Sequence, residues 1–222
     1  RRFFSMIAHE FNTPLGILTV STDILDRYWD RLDAQGRREQ HDRIRSAARQ
    51  MSQLVNSVLN FNRDSMDNPA SDVNTQIDVA GFCRSVCDEI CLLWGSNRKL
   101  VVKITDNCGS ICIDETLLRR ILVNMLTNAF RYTRSGGRVV LSVGRRNGYL
   151  TVTVGDNGIG IPRHELDRVF DAFHRGSNVG SRSGLGLGLA IVRESLQKLG
   201  GRLRIRSAEN RGTLFRVRIP VS

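Results

Sequence analysis

Two asparagines four residues apart, Asn124 and Asn128, followed by Arg131 and Tyr132, carry the first sign of chemistry in this chain. At that spacing both amides share one face of a helix. A neutral amide oxygen is a hard ligand that suits Mg2+, which takes most of its other ligands from phosphate and water. The planar fork of an arginine three residues on can reach phosphate oxygens. Alone, the pattern also fits a helix with ordinary surface polar residues. Three further segments point the same way. Asp156-Asn-Gly158-Ile-Gly160-Ile-Pro162 follows an expected strand. Its glycines let the backbone approach a ligand closely, and its carboxylate can accept a hydrogen bond from an exocyclic amine such as that of adenine; a plain turn is the other reading. Gly184-Leu185-Gly186-Leu187-Gly188 precedes an expected helix, whose orphan N–H groups and dipole favour an anion. It is not the Walker pattern, since no Gly-Lys-Ser/Thr follows, nor the dinucleotide fingerprint, since no strand directly precedes it. Gly212-Thr213 enters the last expected strand.

A nucleophile candidate lies far away in sequence, in Ser5-Met-Ile-Ala-His9-Glu10-Phe-Asn12-Thr13-Pro14-Leu15. Neutral imidazole is a competent nucleophile at pH 7, and an adjacent carboxylate can orient it or take its proton. Thr13 stands one helical turn after His9. Pro14 removes a backbone donor and pushes on the Glu10 carbonyl, which predicts a bend just past His9. A lone helical histidine is equally a structural residue. His41, His164 and His174 have no comparable neighbours: His41 opens the second long helix, and the other two sit in or beside the segment 163–185.

These groups need elements to position them. Apolar residues recur at helical spacing over 3–32 (Ile7, Phe11, Leu15, Leu18, Leu25) and again over 41–61 (Ile44, Ala48, Met51, Val55). Asp33-Ala-Gln-Gly36 reads as the turn between them. The result is an antiparallel helical hairpin, residues 1–66, with one apolar stripe left open on each helix. Two copies closing into a four-helix bundle would bury both stripes, so a homodimer is expected. Residues 67–78 read as a polar linker containing Pro69. From 79 to 222 the pattern alternates. Helices are expected at 79–94, 115–132 (with Asp114 as N-cap) and 186–199, and strands at 99–105, 110–113, 138–144, 150–155, 202–207 and 213–219. The fold class is therefore α+β: a hairpin followed by an α/β sandwich, a sheet covered on one face by helices.

The 222 residues carry 33 Lys and Arg against 22 Asp and Glu, a formal net charge of +11. Nearly all of the positive charge is arginine. Polyanionic partners are indicated: nucleotide phosphates or an acidic protein face. The charge is spread without a long basic block, and no direct nucleic acid binding is expected. No stretch approaches the roughly 18 apolar residues that span a bilayer. The sequence starts in the middle of a helical pattern, so any sensor region or inner-membrane anchor is expected upstream, with this portion in the cytoplasm. Cys83, Cys87 and Cys91 are spaced along one helix face; with Cys108 and Cys112 they are expected to be reduced packing residues, a redox role being the alternative.

Joined in order, the four segments of 79–222 closely resemble the ATP-binding domain of histidine kinases, part of the wider gyrase, Hsp90 and MutL type. The stretch around His9 resembles the phosphoacceptor box of the same kinases. The resemblance implies Mg2+ held by Asn128 with Asn124 beside it. It implies adenine recognition by Asp156 in the Gly158/Gly160 loop, and phosphate contact by Arg131 and by Gly184, Leu185, Gly186, Leu187 and Gly188. Tyr132 would border the adenine and Thr213 the pocket floor. Val169-Phe-Asp-Ala-Phe173-His-Arg175 resembles the Phe-rich box of a mobile lid, roughly 163–185, with Arg175 among the nucleotide contacts. Arg131 stands where the family usually has Lys, and Asn12 where it has Arg or Lys. Hydrolysing members of the wider type carry a Glu four residues before the metal asparagine; here that position is Asn124, which takes no proton at neutral pH. The resemblance thus implies autophosphorylation of His9 from Mg-ATP, transfer to an Asp on a response regulator receiver domain, and a reverse phosphatase activity through Glu10 and Thr13. A clamp ATPase and a non-catalytic nucleotide-binding scaffold are the competing readings.

Overall fold

The computed structural model describes residues 2–65, 74–94, 98–105, 107–180 and 184–221; within the hairpin, side chains are described for 8, 10–52, 54 and 55. The chain divides into two compact units, 1–68 with 183–185, and 69–182 with 186–222.

The first unit is the expected hairpin. Helix α1 (Arg2–Tyr28) runs unbroken through Pro14 and ends in a short 3-10 turn, Trp29–Arg31. Helix α2 (Ala34–Ser65) packs along it. The expected start of the second helix, near residue 41, is corrected by seven residues. Asp33 is not part of an extended turn but the cap of α2: its Oδ1 accepts from Gly36 N at 2.7 Å and its carbonyl from Arg37 N at 3.1 Å. Arg37 then stacks over the Trp29 ring at 4.5 Å and donates to the Trp29 carbonyl, tying the helix start to the end of α1. Ala47 and Leu54 on α2 are buried, while Leu15, Ile17, Val20 and Val55 stay exposed.

The second unit holds the sandwich. Strand β1 (Thr75–Asp78) lies inside the stretch expected to be linker; its pairing with β3 (Ser110–Ile113), Thr75 opposite Ile113 and Asp78 opposite Ser110, corrects that reading for its last four residues. Residues 67–73 of the expected linker are outside those described. Five strands form the main sheet in the order β2-β4-β5-β7-β6: β2 (Lys99–Ile104), β4 (Arg138–Arg146), β5 (Tyr149–Asp156), β6 (Arg202–Ala208) and β7 (Gly212–Pro220). Only β2 and β4 are parallel. Helices α3 (Val79–Trp94), α4 (Glu115–Tyr132) and α5 (Gly188–Lys198) pack with one face of it.

Helix α4 positions the candidate site. Asp114 caps it, accepting from Leu117 N at 3.0 Å. Leu118, Ile121, Leu122, Met125, Leu126 and Phe130 recur at helical spacing and are fully buried. Each such side chain contributes about 1.5–3 kcal/mol relative to exposure. The apolar face therefore fixes the rotation of α4, and with it the edge that carries Asn124, Asn128 and Arg131. Cys83, Cys87 and Cys108 belong to the same core. Burial pushes the Cys83 thiol up to about 12 and the Cys87 thiol to about 11, which makes them packing residues rather than reactive ones. Cys91 and Cys112 are exposed.

Candidate nucleotide site

The candidate site is assembled from four chain segments of the second unit, each delivered by an element that ends there. The register of the sheet brings the first two together: Asp156, the last residue of β5, is paired with Thr213, the second residue of β7. Asp156 Oδ1 accepts from Gly158 N at 2.8 Å. Burial pushes the Asp156 carboxyl from its ordinary 3.8 up to about 6, and the Gly158 and Thr213 backbone N–H groups pull it only part of the way back. Thr213 is buried, and its hydroxyl shares a hydrogen bond with Ser207 Oγ at 2.9 Å. Ser207 also accepts from Ile161 N and donates to the Gly212 carbonyl, both at 2.9 Å, so this hydroxyl of β6 fastens the Gly158/Gly160 loop to the floor of the site. Nothing in the spacing of the sequence marks Ser207; only its inward position on β6 does.

Two of the loop glycines are required by their surroundings. A Cβ on Gly158 would strike the Tyr132 carbonyl at the end of α4, and Gly160 sits at φ +66 with its Cβ direction blocked by the Ala208 carbonyl. Ile159 N donates to the Tyr132 carbonyl at 3.2 Å and its own carbonyl accepts from Asn210 N at 2.7 Å. The loop is thus clamped between α4 and the β6–β7 turn.

The amide pair and the glycine loop also meet. Asn124 Nδ2 donates to the Arg120 carbonyl at 2.8 Å, holding the carboxamide on its own helix. A Cβ on Gly188 would lie 3.0 Å from Asn124 Oδ1 and 3.4 Å from Asn128 Nδ2. Gly188 is the first residue of α5, an eleven-residue helix with no side-chain cap and no acidic residue in its first turn. Its orphan N–H groups and positive dipole end therefore sit next to two amides, with no carboxylate in the first turn to answer them. Arg131, in the last turn of α4, makes no ion pair among the described residues. This set fits Mg-phosphate: N–H donors and a guanidinium for the phosphate oxygens, and an amide oxygen for the metal. Leu187 is buried between the flanking glycines, while Gly186, at φ +70, accepts at its carbonyl from Phe173 N at 3.0 Å. Gly184 and Leu185 are grouped with the first unit.

The described part of the expected lid, 163–180, is held by side-chain hydrogen bonds. Glu165, 7% exposed, accepts at Oε1 from Ser177 N at 2.8 Å, and Asn178 Nδ2 donates to the Gly160 carbonyl at 3.0 Å. Arg175 donates to the Gly180 carbonyl at 3.4 Å, inside the lid. Residues 181–183 are outside those described. Sequence reasoning missed Glu165, because its partner is twelve residues away and forms no spacing pattern.

In the first unit, α1 carries His9 and Glu10 as neighbours and Thr13 one turn later, about 6 Å along the axis from His9. Thr13 is exposed; the His9 side chain is outside those described. His41 is exposed on α2, and His164 is exposed beside Glu165. His174 lies in the lid with Nε2 buried.

Two family models match the chain in the order of its two units. Residues 1–65 match the His Kinase A (phospho-acceptor) domain, and 113–222 match the histidine kinase-, DNA gyrase B- and HSP90-like ATPase. The chain belongs to the histidine kinase family. As a histidine kinase core it is 27% identical over 223 residues to the adaptive-response sensory kinase SasA of Rippkaea orientalis, covering 98% of this chain and 57% of that protein. It is 28% identical over 226 residues to the sensor histidine kinase WalK of Bacillus subtilis, covering 99% of this chain and 36% of that protein. The solved structure of full-length ShkA in complex with AMPPNP superposes with a TM-score of 0.67 at 27% identity, covering 98% of this chain and 45% of that one. The histidine kinase core thus spans about half the length of the first of these relatives and about a third of the second. Among the described residues, no helix is long and apolar enough to cross a membrane.

Proposed function

We propose that this core uses Mg-ATP to phosphorylate His9 and hands the phosphoryl group to an aspartate on a response regulator. The observation that carries the reading is the position of Asn124. It faces the start of α5, where the terminal phosphates of a nucleotide would sit, and it offers an amide where a hydrolysing enzyme needs a carboxylate. A pocket that binds ATP without a base for water preserves the γ-phosphate for another nucleophile, and His9 with Glu10 beside it on α1 is suited to be that nucleophile.

In this scheme Asp156 accepts from the adenine amine, Thr213 and Ser207 shape the floor, and the first-turn N–H groups of α5 with Arg131 hold phosphate oxygens. Asn128 is the fitting ligand for Mg2+, with Asn124 adjacent; when bound, the ion would supply charge neutralisation on the phosphate oxygens. Catalysis is then mostly positioning plus electrostatics. The exposed Leu15, Ile17, Val20 and Val55 along the hairpin support a homodimer through residues 1–66, because a second copy would bury them. Glu10 and Thr13 are further proposed to serve dephosphorylation of the regulator.

Incubation with γ-labelled ATP tests the reading. Acid-labile, base-stable label on the wild type and none on His9→Gln is the expected result. Steady phosphate release without label would instead make the chain a clamp ATPase, and nucleotide binding with neither would make it a scaffold.

A further inference from the structure

The face of the main sheet turned away from the helices carries a charge pattern that the phosphotransfer reading does not use. Alternation along β6 and β7 sends Leu203, Ile205, Phe215 and Val217 inward and leaves Arg202, Arg204, Arg206, Arg216 and Arg218 exposed on the other side. The register sets like charges directly opposite each other: Arg202 faces Arg218 and Arg204 faces Arg216. Such cross-strand pairs are destabilising. Neighbouring strands add Lys103, Arg138 and Arg146 to the same face, and no outward position of the five strands is acidic. None of the five arginines of β6 and β7 is in an ion pair among the described residues. A fold that keeps uncompensated repulsion across two strands is holding a surface for an anionic partner.

Three details decide which one. The face is an open sheet without a groove or a projecting helix to enter a nucleic acid groove. Its only aromatic is Tyr149, already covered by the Arg218 guanidinium at 4.5 Å, so it offers no base-stacking platform of the kind single strands use. And the arginine rows are interrupted by half-buried apolar side chains: Arg206, Leu214, Val140 and Val101 lie in one cross-strand line. Apolar groups gain nothing against phosphodiesters but gain by entering the headgroup region of a lipid layer, where tyrosine also sits well.

We propose that this open sheet face docks on an anionic phospholipid bilayer. Polybasic surfaces gain affinity for such membranes with each cation brought close, and the five arginines stand on one face of two adjacent strands. The nucleotide pocket lies on the helix side of the same sheet, so docking leaves it open.

Co-sedimentation of the full chain with vesicles tests this. Phosphatidylcholine alone should leave it in solution, an equal mixture of phosphatidylcholine and phosphatidylglycerol should bring it down, and rising salt should release it. Arg202→Glu, Arg204→Glu and Arg216→Glu together should lower partitioning by about a hundredfold or more. The equal charge change at the exposed Arg38, Arg45 and Arg49 of α2 should leave it unchanged. If the triple variant does not fold, the single Arg204→Gln, which also relieves repulsion with Arg216, should still weaken partitioning about fivefold. Binding indifferent to phosphatidylglycerol, or equally lost in the α2 set, would overturn the proposal. So would tighter binding to a DNA duplex that is lost in the sheet variant, which would make the face a nucleic acid surface.

Discussion

Gly188 faces Asn124 across two helices: a Cβ on the glycine would come to 3.0 Å from the asparagine Oδ1. The start of α5 and the polar edge of α4 therefore form one wall, and the space between them depends on a missing side chain. Gly188→Ala should fold, since alanine favours a helix, but it should press the Asn124 carboxamide out of place, because that amide is already bonded to the Arg120 carbonyl. The expected loss in ATP affinity is about tenfold, near 1.4 kcal/mol, read by titration with a fluorescent nucleotide.

Asp156 gives a pH signature. Burial raises its carboxyl to about 6, so the folded chain binds an extra proton between roughly the ordinary value of 3.8 and that point. Its contribution to stability is complete below the lower value and is lost as pH rises through about 6. With Asp156 as the proposed adenine acceptor, which must be ionised to accept from the amine, ATP binding should strengthen across the same step as stability falls. Isothermal titration between pH 5 and 7 should resolve a step near 6 in the wild type, and Asp156→Asn should bind weakly and without the step.

How far the sequence reached depends on where the signal lay. Helix α4 was readable because its apolar residues repeat at helical spacing behind a capping Asp114, and the Asn124/Asn128 pair rides on that repeat. Strand β1 was not, since Ile77 is its only buried residue and Thr75, Gln76 and Asp78 look like linker. The start of α2 was placed late because Gly36 resembles a stop, whereas Asp33 turns it into the first turn of a capped helix. Ser207 and Glu165 gain their roles from partners brought in by the fold, Thr213 across a strand pair and Ser177 along the lid.

Glu165 makes the lid testable. Burial works against its charge, but the Ser177 backbone and side-chain hydrogen bonds, with His164 and His174 nearby, more than offset it and leave its carboxyl below the usual value. Its stabilising contribution is thus complete above about 4.5 and is lost only as pH falls through its lower folded value. Glu165→Ala removes a charge-assisted bond to Ser177 N. Exchange of that amide should speed up about tenfold or more, and KM for ATP should rise more than kcat falls. Glu165→Gln keeps an acceptor oxygen and should restore most of both; an unchanged amide exchange rate in the alanine variant would remove Glu165 from the lid's anchoring.

Asn124 is where the proposed preference for a protein acceptor over water can be tested. Its Nδ2 is committed to Arg120, and its oxygen faces the start of α5. Replacing it with glutamate adds one methylene and a group that takes a proton at neutral pH, aimed at the space next to the phosphates. The same change adds negative charge there, which opposes phosphate binding, so KM for ATP should rise. The two effects separate kinetically. Asn124→Glu should release phosphate into water faster than the wild type at saturating ATP, while label on His9 declines. Asn124→Gln, of the same length but without a base, should lose label without gaining hydrolysis. If the glutamate variant also fails to hydrolyse, the missing carboxylate is not what protects the γ-phosphate, and exclusion of water by the lid becomes the explanation.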